Sequence, residues 1–243
     1  MTQKVLAKLM SFAGCDKLGL FTIAIASSCL MIVPQGQVRA ASIFIANHSF
    51  EDPVAPQQGT TGFYSKNSIT GWSLSSTGTN TPFLGVLDPT KSQILTGLDR
   101  FYNLQPVPDG VQVAYSNGGT ISQTLSATLQ ANTQYTLGAY VGSRKNMAFP
   151  GYSIELLAGS TVLASNNIIT PIAGTFAPVT VSYSSGSSSP LFGQALEIRL
   201  TSNGIQTNFD NVTLDASPIP EPSAILGLLG FGLLGIASKL QQK

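Results

Sequence analysis

The long apolar runs of this 243-residue chain lie at its two ends, which confines a water-exposed fold to the stretch between them. At the C-terminal end, residues 224–237 carry no charge. On a helix their apolar side chains go all the way round instead of forming a stripe, so a membrane covers them better than one edge of a core. Such a helix is roughly 22 Å long, a thin anchor against a hydrocarbon slab of about 30 Å. Pro220 and Pro222 hold the preceding chain extended around Glu221, and Lys239 and Lys243 follow as cations that reach for headgroups.

The opposite end has the layout of a signal peptide. Lys4, Lys8 and Lys17 precede an apolar segment at 18–33, Pro34 breaks it, and Val38-Arg39-Ala40 offers small residues where a signal peptidase reads. Cleavage is expected after Ala40. Both cysteines, Cys15 and Cys29, fall in this leader, so the mature domain is expected to hold together without disulfides even in an oxidising compartment. The expected organisation is a signal peptide at 1–40, one domain at 41–217 and a sorting segment with a transmembrane helix at 218–243.

Pro220, Glu221 and Pro222, with the glycine-rich apolar helix behind them, resemble the PEP-CTERM sorting signal of bacterial envelope proteins. The resemblance implies processing by an exosortase, a membrane cysteine protease-transpeptidase, after signal peptidase has acted. It also implies a location in the cell envelope or outside the cell, with attachment to the membrane through the C-terminal helix until processing. The arginine cluster usual at the end of that family is replaced here by Lys239-Leu240-Gln241-Gln242-Lys243.

Between the ends, residues 41–218 hold nine acids and six bases, a net charge of about −3, so the overall +1 comes from the targeting segments. No basic face for nucleic acid is visible. Apolar and polar residues alternate at 179–183 and 196–200, and Tyr135, Leu137, Ala139 and Val141 share one side of another stretch, as half-buried strands require. Further strand candidates are 43–47, 72–75 and 209–214. Asn117-Gly118-Gly119 and Ala158-Gly159-Ser160 read as the turns of two hairpins. Short strands without a ten-residue amphipathic helix between them predict an all-β fold. The expected form is an antiparallel β-sandwich of jelly-roll type, flanked by an N-terminal signal helix and a C-terminal hydrophobic helix.

The order of Asn47-His48-Ser49-Phe50-Glu51, Gly71-Trp72, Ser122-Gln123-Thr124-Leu125, Thr133-Gln134-Tyr135-Thr136-Leu137 and Phe209-Asp210-Asn211-Val212-Thr213-Leu214 is similar to the galactose-binding-like jelly roll of carbohydrate-binding modules. In those modules a Glu in the opening segment and an Asp at the start of the final strand join carbonyls around a structural Ca²⁺; here these are Glu51 and Asp210. Strand alternation with Val212 and Leu214 puts Asp210 on the core side, where a carboxylate needs a cation or several amide donors to offset its desolvation. Both alternatives stand: a Ca²⁺ ligand, or a turn cap bonded to local amides.

Sugar rings stack on exposed aromatics, and the available platforms are Tyr64, Trp72, Tyr102, Tyr115, Tyr140 and Tyr152, although Trp72, after Gly71 at a strand start, reads more readily as core than as platform. Catalysis has little visible support. His48 is the sole histidine and has no metal-ligand spacing around it, and no nucleophile elbow or phosphate loop occurs. The expected function is therefore non-catalytic: a structural or adhesive component of the cell surface or extracellular matrix, or alternatively a carbohydrate-binding module recognising exopolysaccharide.

Overall fold

Two long strands organise the fold. In the computed structural model, which describes residues 40–76, 83–98 and 107–219, these are β5 (Val113–Thr128) and β10 (Ala195–Pro218), and each serves two layers. The remaining elements are β1 (Ala41–Ser42), β2 (Phe63–Tyr64), β3 (Ser73–Ser76), β4 (Leu84–Asp88), α1 (Pro89–Thr96), β6 (Thr133–Ser143), β7 (Tyr152–Ala158), β8 (Thr161–Asn166) and β9 (Phe176–Ser184). All strand pairs are antiparallel. The first half of β5 and the second half of β10 lie in a front layer ordered β2-β4-β5-β10-β6-β9. Their other halves carry a back layer in which β3 pairs β5, β10 pairs β7 and β7 pairs β8. This is the expected jelly-roll sandwich. The terminal helices expected at both ends lie outside the described residues.

The passage between layers happens at Asn117-Gly118-Gly119, which is not the hairpin expected from the sequence. The chain runs straight through as one strand, with φ of 91° at Gly118 and 152° at Gly119, while β10 shifts register between Ser202 and Thr207 opposite it. A side chain at Gly119 would put Cβ 2.7 Å from the Ser75 carbonyl oxygen, so Gly119 serves close approach of β3 and not chain reversal. The other expected turn is a true hairpin: β7 and β8 reverse around Gly159, at φ 55°. The strand expected at 43–47 is reduced to β1, which precedes it.

The main core fills the space between the layers. Ile121, Leu125, Ile154, Leu156, Ile198 and Leu200 come from the back layer and Ala114, Leu137, Val141, Val181, Phe209 and Leu214 from the front, all buried in one cluster. At about 1.5–3 kcal/mol for each fully buried large apolar side chain, this cluster supplies the drive for a domain with no cysteine. One helix was not expected. α1 starts with Asp88 as N-cap, its Oδ1 accepting from Lys91 N at 2.8 Å, has Pro89 in the first turn, and ends at left-handed Gly97, whose N–H donates to the Gln93 carbonyl. Ser92 on α1 accepts from the Phe63 amide at 2.8 Å and so ties β2 to the helix.

Candidate active site

Antiparallel partners share a face, so the register of the front layer maps the side chains on its outer surface. Asn208 on β10 stands beside Tyr115 on β5 and Gly142 on β6; Tyr115 in turn stands beside Gly85 on β4. One row further, Asp210 faces Tyr140 on β6, and Val113 pairs Leu87, which pairs Tyr64 on β2. Leu87, Val107, Val113 and Tyr115 form a second apolar cluster on this face, separate from the main core, with Tyr64 and Phe176 against it.

The cluster opens into a cavity of about 190 Å³ lined by Tyr64, Phe83, Leu87 and Tyr115 on its apolar side and by Thr61, Ser92, Asn117 and Gln206 on its polar side. Tyr64 and Tyr115 meet edge to face at 6.2 Å, and Lys66 Nζ sits 5.0 Å from the Phe83 ring centroid and 5.8 Å from that of Tyr64. Burial, and then the neighbouring Tyr64, push the Tyr115 phenol well up, so it stays protonated and donates to the Ser65 carbonyl at 2.7 Å. Gln206 accepts from Arg144 at 3.1 Å through Oε1 and donates to Asn208 Oδ1 at 2.9 Å. Asn117 Oδ1 is buried and, among the described residues, has no hydrogen-bond partner.

Asp210 reaches this face because alternation fails. β10 advances three residues from Asp210 to Thr213 while β6 advances two, and Asn211 takes the left-handed conformation at φ 48°. Phe209 and Val212 both enter the main core, which leaves Asp210 on the opposite side, against the expectation that it shares the face of Val212 and Leu214. The carboxyl is fully buried beneath the turn that follows Val107. Its Oδ2 accepts from Asp109 N at 2.9 Å and its Oδ1 from Asn211 N at 2.7 Å. Burial pushes its pKa up to about 8; the two amides pull it back, while the charges of Asp109 and Glu51 add to the rise.

Glu51 grips the same turn from outside, its Oε1 accepting from Val111 N and Gln112 N, each at 2.8 Å. Gly110, at φ 73°, leaves the space that the Glu51 carboxylate occupies. His48 Nδ1 stands 3.8 Å from Asp109 Oδ2, both half exposed. The pair expected as metal ligands is thus brought to one turn, and each member is held by amides. Among the described residues no group of His, Cys, Asp and Glu is arranged to hold a metal ion by itself.

The aromatic platforms divide. Tyr64, Tyr115 and Tyr140 belong to the front face. Trp72 is core: it packs on Phe50 at 5.1 Å between centroids and donates its indole N–H to the carbonyls of Ala46 and Asn47. Tyr152 is also core, 1% exposed. Tyr102 and the triplet Pro220, Glu221, Pro222 lie outside the described residues. Asn117, Gln206, Phe83 and Leu87 had not been singled out. They meet only through the pairing of β4, β5 and β10, and Asn117 sits in a triplet whose composition spells a turn.

Residues 41–215 match the family model described as HpiC1-like: HpiC1 cyclase. The chain belongs to that family. Among solved structures, the Stig cyclase FisC from Fischerella sp. TAU in complex with (3Z)-3-(1-methyl-2-pyrrolidinylidene)-3H-indole is 31% identical, with a TM-score of 0.63 over 75% of this chain and 100% of that one. A cyclase from the same organism in complex with 4-(1H-indol-3-yl)butan-2-one is 30% identical with a TM-score of 0.59 over the same shares. A CBM4 carbohydrate-binding domain is a more remote match, 14% identical with a TM-score of 0.40 over 72% of this chain and 99% of that one. No curated protein matches the chain.

Membership of the HpiC1-like family overturns the expectation of a protein outside enzyme families. The residues that misled it are the acids: counted along the sequence they are few and scattered, yet the bulge at Asn211 turns one of them to the face of the front layer that also carries an aromatic pocket. Residues 218–240 match the PEP-CTERM protein-sorting motif, so the exosortase-sorting address read from Pro220, Glu221 and Pro222 holds. Among the described residues no helix is long and apolar enough to cross a membrane.

Proposed function

We propose that this protein is an exported cyclase that binds an aromatic, indole-type substrate on the outer face of the front layer and closes a ring on it, with Asp210 as the proton source. The observation that carries the reading is a carboxyl with a pKa raised to about 8, and hence protonated at neutral pH, on the same face as an aromatic pocket. Ring closure by isomerisation needs no redox partner. A proton delivered to the substrate draws electrons toward one end, the new carbon–carbon bond forms, and loss of a proton from carbon returns the carboxyl to its starting state. Leu87, Val113 and Tyr115 keep water from the charge that develops.

The ligands of the Fischerella cyclases supply the substrate class. A cavity of about 190 Å³ exceeds the roughly 150 Å³ that accepts benzene, which leaves room for a fused-ring system. The test is calorimetric titration of the full-length protein with 4-(1H-indol-3-yl)butan-2-one. Saturable binding that is lost when Tyr115 is replaced by Ala supports the reading, and absence of binding by the folded protein overturns it.

The charge of Asp210 has a second means of neutralisation, which we also propose: a Ca²⁺ ion between Asp210 and Glu51, completed by carbonyl oxygens of the turn that both side chains hold. A chelator separates the two. A melting temperature lowered by chelation and restored by Ca²⁺ favours the cation, and an unchanged melt leaves Asp210 with its proton and its amides.

A further inference from the structure

We infer that Asn117 is the specificity-determining residue of the pocket, and that its Oδ1 accepts a hydrogen bond from a ring N–H of the bound aromatic. The inference rests on the pocket taking an aromatic substrate as proposed above, and it names which atom of that substrate the protein reads.

The polar side chains of the lining are engaged with the protein, with one exception. Thr61 Oγ1 donates to the Gln58 carbonyl at 2.6 Å, which leaves it to accept from Tyr64 OH at 3.2 Å. Ser92 Oγ accepts from Phe63 N and donates to Phe63 O. Tyr115 donates to Ser65 O, and the acceptor of Gln206 is taken by Arg144. Asn117 Oδ1 alone among these acceptors is buried without a partner. A buried carbonyl oxygen with nothing to accept from costs free energy that a ligand donor recovers on binding.

The surroundings define that donor. Lys66 stands over the Phe83 and Tyr64 rings, and the Arg144 guanidinium bonds Gln206, a neighbour of Asn117 in the lining, so a cationic donor would meet two positive groups. The apolar walls from Tyr64 to Leu87 demand that the rest of the ligand be a flat hydrocarbon surface. A neutral heteroaromatic N–H at the edge of a fused ring meets both conditions. Asn117 is held in place for this role by its backbone, whose N–H donates to the Phe83 carbonyl at 2.9 Å.

The experiment compares two probes that differ in one atom: 4-(1H-indol-3-yl)butan-2-one and its benzofuran analogue, in which a ring oxygen replaces the N–H without added bulk. Titrated into the full-length protein, the benzofuran is expected to bind about tenfold more weakly. In Asn117→Ala the two probes bind equally, at the weaker level. In Asn117→Asp, which keeps an acceptor at the same reach, the preference for the indole returns. Equal, measurable affinity of both probes for the wild-type protein overturns the role of Asn117 while leaving the pocket reading intact. A preference that persists in Asn117→Ala does the same. Binding of neither probe to the folded protein overturns both. The wild-type comparison stands even where a variant melts too low to titrate.

Discussion

Asp210 is asked to be neutral where most carboxyls are charged. Its two amide partners favour the anion, yet burial under the turn outweighs them and raises the pKa to about 8. As a general acid it is active while protonated, so turnover of an indole-bearing substrate is expected to be steady below pH 7 and to fall as the pH rises through 8. Asp210→Asn keeps the shape and removes the transferable proton; kcat is expected to drop at least a hundredfold with little change in KM. Steady-state kinetics across that pH range check both statements, and a variant with a normal kcat would exclude Asp210 from the proton step. Gln123 illustrates a purely structural polar residue. Its Nε2 donates to the Ala46 and Gly71 carbonyls, each at 2.9 Å, and its Oε1 accepts from Ala46 N at 2.9 Å, which fastens the opening segment and the Trp72 turn to β5. Gln123→Ala leaves those backbone groups without partners and is expected to cost about 2–4 kcal/mol in a denaturant melt, with the site on the front face unaffected.

The long strands show which features a one-dimensional pattern carries and which it hides. Alternation in 135–141, 179–183 and 196–200 places the core faces of β6, β9 and part of β10 correctly, because β6 and β9 pair each other there without a break, as do β10 and β7. It fails at Asn211, where an extra residue reverses the faces, and an acid expected beside Val212 appears on the opposite side. Asn117-Gly118-Gly119 fails for a related reason: glycine permits both chain reversal and close approach, and the choice is made by β3, a strand remote in sequence. The start and stop signals of α1 were in the sequence, Asp88-Pro89 and Gly97, but an eight-residue helix without an apolar stripe leaves no periodic trace. The pocket was the least legible part, since Tyr64, Phe83, Asn117 and Gln206 share no local pattern and meet only when β4, β5 and β10 pair. The β5 crossing has its own test. Gly119→Ala forces Cβ to within 2.7 Å of Ser75 O at a φ of 152°, so β3 must detach or β5 must straighten. A loss of more than about 2 kcal/mol is expected by denaturant unfolding; Gly118→Ala meets nothing within 4 Å and is expected to lose only the smaller backbone term. Equal losses in the two variants would refute close approach as the function of Gly119.

At the scale of the whole molecule, the buried carboxyl links the site to stability. Asp210 has a folded pKa of about 8 against an ordinary value of 3.8, so the folded state holds its proton over a range in which the unfolded chain has released it. The sign follows: the contribution of Asp210 is fully present below about pH 4, declines as the pH rises, and is gone once the pH has passed through 8. The domain is thus expected to melt at a higher temperature at pH 5 than at pH 8.5. Other groups also titrate in that interval, so the slope has to be assigned by difference. Asp210→Asn removes the group that is neutralised at a cost, and the variant is expected to lose most of the decline and to melt above the wild-type protein at pH 8.5. Melting curves of both proteins at matched ionic strength, with a chelator present to remove the cation alternative, measure this directly. Parallel curves for the two proteins would mean that Asp210 is charged in the folded state throughout, and the same result would remove the neutral proton donor on which the proposed ring closure depends.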